Sequence, residues 1–358
     1  MRGNYLQLLG VMILVIAIQL LTSLTGSAYY LTQLTMTAYY SLLVIGLCML
    51  IGYAGQISLG HAGFFAIGGY LSAFLTTHDL SADKGKPVVD FLAKWGILVT
   101  SKDLYGGEHL VVHPWPACIA SVCAALFIAY AVGGPVLKLK GHYLAMATLG
   151  FGVIIYRIVL GTTALGSADG ITDVPPFTVL PGIEISGKSD FRVLNYYCAW
   201  IVVITGMVLL LNLIRSRIGR ALSAIHGAED AANAMGIPTS SLKLRVFVLS
   251  AGFAALAGVL LTHYNGGIGP SEASVMKSVR YVAIVAIGGM TSVWGALSMS
   301  LLLNYLSLRG SFGSYDDAVF GAILILIMLF APNGLLRKGT FKRFTELMGS
   351  PAGKDPSP

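Results

Sequence analysis

Apolar residues along this chain come in long runs separated by short polar stretches. The runs cover residues 6–24, 37–51, 61–75, 116–132, 143–160, 197–214, 244–261, 279–308 and 318–331. Residues 3–78 carry no formal charge, a run of 76 residues, whereas one membrane-crossing helix needs about 20. Backbone groups inside a bilayer must bond within their own segment, so each run reads as a helix. Runs shorter than 20 residues fit with tilt and glycine-rich ends. The run 279–308 is interrupted by Gly288, Gly289 and Gly295, and reads as two short helices or a re-entrant pair.

Basic residues orient these helices. The connection after 197–214 carries Arg215, Arg217, Arg220, Lys243 and Arg245, and the tail carries Arg337, Lys338, Lys342 and Arg343. Lysine and arginine mark cytoplasmic loops, so both segments lie inside and an even number of crossings separates them. The run 279–308 therefore counts as two, and Lys138, Lys140 and Met1 also fall inside. The expectation is an all-α polytopic membrane protein with about ten transmembrane helices, some short or re-entrant, and both termini cytoplasmic. Residues 1–25 form the first helix, with a cleavable signal peptide as the alternative because Arg2 and Gly26-Ser27-Ala28 flank its apolar core. Residues 26–337 form the membrane domain, with long outer loops at 77–115 and 162–196, and residues 338–358 form a basic cytoplasmic tail.

Composition agrees. Only 11% of the 358 residues are charged and 56% are apolar, too few charges to cover a soluble surface of this size. A cytosolic enzyme, a nucleic-acid binder and a disulfide scaffold are excluded. Cys48, Cys118, Cys123 and Cys198 lie in apolar stretches with no C-x-x-C pair, and read as small hydrophobes. The net charge of +7 is a topology signal. Inside segments hold thirteen basic and four acidic residues, while outside segments hold nine basic and twelve acidic ones. Arg157 lies within a predicted helix near its outer end, where its long side chain can snorkel to the interface.

Several motifs carry less than their letters suggest. Residues 182–189 (Gly-Ile-Glu-Ile-Ser-Gly-Lys-Ser) match the phosphate-loop expression, but Pro175, Pro176 and Pro181 crowd the approach. The loop is also too short for a nucleotide-binding domain. His109 and His113 lack a third ligand and read as a surface polar cluster. In the loop 77–115, Val88, Phe91, Leu92, Trp95 and Leu98 share one helical face opposite Lys86, Asp90 and Lys94. That pattern fits a short amphipathic helix on the membrane surface, or a solvated loop.

Two segments are more specific. Six glycines in 52–69, Gly55 and Gly60 among them, flank Gln56, Ser58 and His61 between apolar runs, with Phe64 following. Gly288, Gly289, Ser292 and Gly295 repeat that character late in the chain. Paired broken segments point to a central substrate pathway; tight helix packing is the simpler alternative. In the cytoplasmic connection 215–243, Glu229 and Asp230 open a run through Ala231, Ala232 and Met235. Gly236 suits the left-handed terminating position, Pro238 prevents continuation, and Thr239-Ser240-Ser241 can cap the next crossing. The result is a short alanine-rich helix outside the membrane, shaped to enter a partner's groove.

These segments carry a family resemblance. Gly-Tyr-Ala-Gly-Gln-Ile-Ser-Leu-Gly-His-Ala-Gly-Phe at 52–64 closely resembles the glycine-rich signature of bacterial branched-chain amino acid ABC-importer permeases. Lys138-Leu-Lys-Gly141, Tyr143-Leu-Ala-Met-Ala-Thr148-Leu, Glu229 to Ile237, Ala257-Gly258, Gly288-Gly289 and Pro332-Asn-Gly334-Leu are similar too, in family order from about residue 37 to 337. The resemblance implies a permease in the bacterial inner membrane, half of a membrane heterodimer. A second homologous permease, two ATP-binding subunits inside and a substrate-binding protein outside would be its partners. ATP-Mg would bind those subunits, leaving this chain without a cofactor or catalysis of its own. The helix around 225–236 would be the coupling helix. The loop 77–115 is longer than family members usually have. A urea or short-amide importer is the same-class alternative. A stand-alone secondary transporter would need ionisable coupling residues within the helices.

Overall fold

The computed structural model describes residues 2–81, 93–102, 108–139, 141–180, 182–310 and 313–330. The order is α1 (Arg2–Leu24), α2 (Tyr30–Ala54), α3 (His61–Thr77), β1 (Leu98–Lys102), β2 (Glu108–Val112), α4 (Pro114–Val136), α5 (His142–Gly161), β3 (Phe177–Leu180) and β4 (Ile183–Ile185). It continues with α6 (Arg192–Arg215), α7 (Arg217–Gly227), α8 (Glu229–Ala234), α9 (Thr239–Asn265), α10 (Val275–Gly288), α11 (Val293–Leu308) and α12 (Asp316–Phe330). A helix stands on every apolar run, and α10 and α11 divide 279–308 between them. Among the described residues, six helices are long and apolar enough to cross a membrane: Gln7–Leu24, Tyr30–Ala54, Pro114–Val136, His142–Gly161, Ser189–Arg215 and Thr239–Asn265.

Burial distinguishes helices that hydropathy alone treats alike. The span in α2 is 89% buried and that in α9 67%, against 17% for α1 and 22% for α5. The centre is therefore α2 and α9, packed antiparallel: Tyr39 stacks near Tyr264, and Gly46 meets Ser250 and Phe253. Helix α3 runs parallel to α9. A Cβ on Gly68 would lie 2.3 Å from the Ala255 carbonyl oxygen, and one on Gly258 2.0 Å from that of Phe65. Only glycine allows backbones this close, which is how membrane helices gain packing without a hydrophobic drive between them.

Two connections add short hairpins to an otherwise helical fold, consistent with the all-α expectation. Strands β1 and β2 pair antiparallel with Leu98 opposite Val112, and β3 pairs β4. Leu98 therefore opens a strand, since Val99-Thr100 and Leu110-Val111-Val112 pair across it and β-branched residues favour the pleat. Of the proposed amphipathic helix, residues 82–92 lie outside the described residues, as does the tail 338–358, while Ala93 and Lys94 are helical and Trp95 is exposed in the turn that follows. The β1–β2 hairpin is clipped to the end of α3 by Asp79. Its carboxylate accepts from the Ser81 N–H and hydroxyl, from the Leu110 N–H, and from His109 Nδ1 at 2.8 Å. These bonds, with Ser81 the largest contributor, hold the Asp79 carboxyl well below the usual carboxylate range. The His113 side chain caps α4 by accepting from the Trp115 N–H, so both histidines of that loop have structural roles.

The second outer loop is tied to α9. His263 Nδ1 lies 2.7 Å from the Pro175 carbonyl, which can only accept, so Nε2 accepts from the Ser72 hydroxyl at 2.8 Å. Ile171 and Ile268 exchange backbone bonds beside it. In the 182–189 match, Ile183–Ile185 are strand and residues 189–191 a single 3₁₀ turn, so no phosphate-cradling loop forms.

Candidate functional site

Helix α2 ends at Gly55, which takes the left-handed conformation (φ 66°, ψ 24°). The N–H groups of Gly55 and Gln56 both donate to the Leu50 carbonyl, closing the helix. Residues 55–60 then run without helix or strand, with Gln56, Ser58 and Gly60 buried and Gly55 and Ile57 exposed. This segment climbs back into the bundle. Both Gly46 and His61 meet α9 at Ser250, so α3 starts level with Gly46, eight residues above the end of α2. At 1.5 Å per residue that is about 12 Å. Six residues can span at most about 20 Å, so the climb is within reach.

His61 anchors the segment. Nδ1 is 3.0 Å from the Ser58 hydroxyl and Nε2 2.8 Å from the Ser250 hydroxyl, and the residue is fully buried. Phe64 packs its ring against Phe247 and Phe151. The Leu59 N–H donates to Thr148 on α5, and the Ala62 N–H to Ser278 on α10. Helices α3 and α10 therefore begin at the same depth. The side-chain amide of Gln56 is buried with neither its oxygen nor its nitrogen bonded.

The two broken segments meet. Gly289 (φ 101°) ends α10, and Ser292 starts α11 by accepting from the Gly295 N–H. Gly288 and Gly295 face each other so closely that a Cβ on Gly295 would sit 1.9 Å from the Gly288 carbonyl oxygen. The turn between them rests on α2, where a Cβ on Gly52 would lie 1.7 Å from the Met290 carbonyl oxygen. The Tyr53 hydroxyl donates to the Thr291 carbonyl.

The connection 215–243 forms two helices. Ser216 caps α7 by accepting from the N–H groups of Ile218 and Gly219, and Leu222 and Ile225 bury against the bundle. Ala228 is extended (φ −157°, ψ 98°) and breaks the expected single helix, so α8 holds only Glu229–Ala234. Glu229 and Asp230 do occupy its first turn, and Gly236 is left-handed (φ 81°). Glu229 pairs with Lys243 of α9 at 2.5 Å, and Ala232 is buried. Ala231, Met235 and Gly236 are exposed, Met235 at 84%. Thr239-Ser240-Ser241 form the first turn of α9 and do not cap it; Pro238 holds the cap position without a capping side chain. At the far end of α7, His226 meets the broken segment, its Nδ1 3.0 Å from where a Cβ on Gly55 would stand.

A charged cluster eluded the sequence reading, which counted its members as outer-loop charges. Lys277 on α10 pairs with Glu272 at 3.0 Å, and the Tyr40 hydroxyl, from the middle of α2, donates to the same carboxylate oxygen. Arg280, one turn further, pairs with Asp316 at 3.6 Å and donates to Ser307. Arg280 lies inside the apolar run 279–308, and that position was the available signal.

The comparisons with known proteins agree with this architecture. The family model described as branched-chain amino acid transport system / permease component matches residues 29–328. The high-affinity branched-chain amino acid transport system permease protein LivM of Salmonella typhimurium is 29% identical over 323 residues, covering 84% of this chain and 68% of its own length. The corresponding permease protein BraD of Pseudomonas aeruginosa is 30% identical over 324 residues, covering 86% and 96%. LivH of Escherichia coli is 27% identical over 332 residues, covering the same shares. No solved structure matches. With the match spanning the broken segments, the helix pair α7–α8 and nearly every described helix, the chain belongs to the family of branched-chain amino acid transport permease components.

Proposed function

We propose that this chain is the permease subunit of an ATP-driven importer that moves branched-chain or related hydrophobic amino acids across the bacterial inner membrane. The named relatives are permease proteins of such transport systems. In this reading about ten helices cross the membrane, with both termini cytoplasmic. A second homologous permease, two ATP-binding subunits holding ATP-Mg and an outer substrate-binding protein complete the machine. This chain binds no cofactor and breaks no bond.

The observation that carries the proposal is the contact between His226 and Gly55. It links the exposed cytoplasmic helix pair to the non-helical segment that enters the bundle. ATP-driven movement of a partner seated on Asp230, Ala231, Met235 and Gly236 would reach residues 55–60 through α7. Glu229 and Ala232 hold α8 to α9 while that force is applied. Non-helical backbone at membrane depth is tolerated where it lines a cavity or is covered by protein. Residues 55–60 therefore form one wall of the pathway, with Gly288, Gly289 and Ser292 bracing it through Gly52. His61 and Phe64 position that wall, and the unbonded Gln56 amide is a polar group that a passing solute can reach when the segment shifts.

The test is uptake of labelled leucine, isoleucine or valine into vesicles holding all subunits, with urea and short amides as competitors. Uptake requiring both ATP and the binding protein is expected. Uptake independent of both would overturn the proposal in favour of a secondary transporter using the Glu272–Lys277 and Arg280–Asp316 pairs.

A further inference from the structure

Helices α4 and α9 enclose two cavities that lie end to end along one seam. The lower, of about 560 Å³, is walled by Tyr130, Gly134 and Lys138 from α4 and its end, and by Ser240, Ser241 and Arg245 from the first turns of α9. The upper, of about 430 Å³, continues upward between the same two helices and α6. Val122, Leu126, Leu249 and Leu256 line it, together with Ile201 and Leu209. One end of the seam is thus basic and hydroxylic and the other is dry.

Local chemistry explains the gap. Pro135 cannot donate to the carbonyl four residues back, and Gly134 carries no side chain, so the last turns of α4 leave room on that side, while Gly133 packs close against Leu244 and Phe247 of α9. A Cβ on Gly134 would meet nothing within 4 Å. Lys138 and Arg245 are exposed and make no ion pair among the described residues. The hydroxyls of Ser240 and Ser241 donate to nothing there, and α9 has no capping side chain on its first N–H groups. A region with two unpaired cations, two unused hydroxyls and an uncapped helix start favours an anion.

We infer that this seam binds an anionic phospholipid of the cytoplasmic leaflet, headgroup phosphate beside Lys138 and Arg245, one acyl chain in the upper cleft. Dimensions agree. From Ser240 to Leu256 is sixteen residues of helix, about 24 Å, and one leaflet with its headgroup zone is about 20–22 Å. An acidic surface of an ATP-binding subunit could also meet Lys138 and Arg245, but it could not fill the dry cleft above them. Basic pockets between membrane helices on the cytoplasmic side take anionic headgroups for the same electrostatic reason.

The test uses the assembled transporter, purified in detergent and titrated with phosphatidylglycerol or phosphatidylcholine of matched chains while bound lipid is counted by native mass spectrometry. Preferential retention of phosphatidylglycerol is expected. Each basic residue near an anionic group contributes about fivefold, so the Lys138→Ala/Arg245→Ala variant should weaken phosphatidylglycerol binding about 25-fold and leave phosphatidylcholine unchanged. Gly134→Leu, which fills the lower cavity without touching the cations, should weaken both lipids. Equal retention of the two lipids by the unaltered protein would overturn the inference, whether or not the variants fold. So would a charge-deleted variant that keeps its phosphatidylglycerol but sheds the ATP-binding subunits, because the basic pair would then be a protein contact.

Discussion

Replacing Gly55 with alanine tests the link between the cytoplasmic helices and the broken segment. Two costs follow from the structure. The position is left-handed at φ 66° and ψ 24°, which costs an ordinary residue about 1–2 kcal/mol. The new Cβ would also stand 3.0 Å from His226 Nδ1, tighter than an ordinary contact by a few tenths of an ångström. Because His226 is exposed its ring can yield, so crowding adds little and the backbone cost dominates. A penalty of 1–2 kcal/mol corresponds to about a 5–30-fold loss of the properly set segment. The assay is ATP-dependent amino acid uptake by the reconstituted complex, beside its ATP hydrolysis rate. Gly55→Ala should lower uptake about 5–30-fold while hydrolysis persists. Gly55→Asn should retain more, since asparagine tolerates the left-handed region. The Gly55→Ala/His226→Ala pair should recover only a minor part, because removing the ring leaves the backbone cost in place. Unchanged uptake in Gly55→Ala would refute the reasoning, and so would full recovery in the pair.

Three further outcomes are expected. Gly295→Ala drives a Cβ to within 1.9 Å of the Gly288 carbonyl oxygen, a backbone atom that cannot swing away, and should destabilise by about 3 kcal/mol or more; a thermal midpoint in detergent equal to that of the unaltered protein would count against the packing described. Glu229→Gln leaves the buried Lys243 ammonium without its carboxylate, so stability should fall by roughly 1–3 kcal/mol while the ratio of uptake to ATP hydrolysis drops; an unchanged ratio would remove Glu229 from the coupling path. Asp79 has its carboxyl held low by bonds present only in the folded state, so its contribution is complete above the ordinary carboxylate range near pH 4 and is lost as pH falls through the lowered value. Proteolysis of the β1–β2 hairpin should therefore stay slow down to about pH 4 and accelerate only below it, whereas Asp79→Asn should be cleaved faster at neutral pH; equal rates for the two proteins at pH 7 would show that the clip does not hold the hairpin.

Much of this architecture is legible in the amino-acid order. Uncharged runs place the helices because a bilayer offers backbone no other partner, and Gly288-Gly289 and Gly295 mark the turn between α10 and α11. Gly236 and the acidic pair at 229–230 mark the ends of α8 for reasons that are local to a helix terminus. Hydropathy does not rank those helices by burial. Residues in α1 and α2 are about equally apolar, yet one lies at the edge and the other at the centre, because lipid and protein interior are alike to an apolar side chain. Nor do the letters show that residues 55–60 re-enter the bundle, since the depth at which α3 starts depends on which residues of α9 and α10 His61 and Ala62 meet. Lys277 and Glu272 read as loop charges until Tyr40, more than 230 positions away, is found on the same carboxylate. The sequence by itself determined a chain of long apolar helices suited to a membrane, because solvation and backbone bonding act along the chain, and its motifs at 52–64 and 229–237 carried the resemblance to permeases. Only the tertiary structure decided which broken segment touches which helix, because those contacts depend on how close two backbones come.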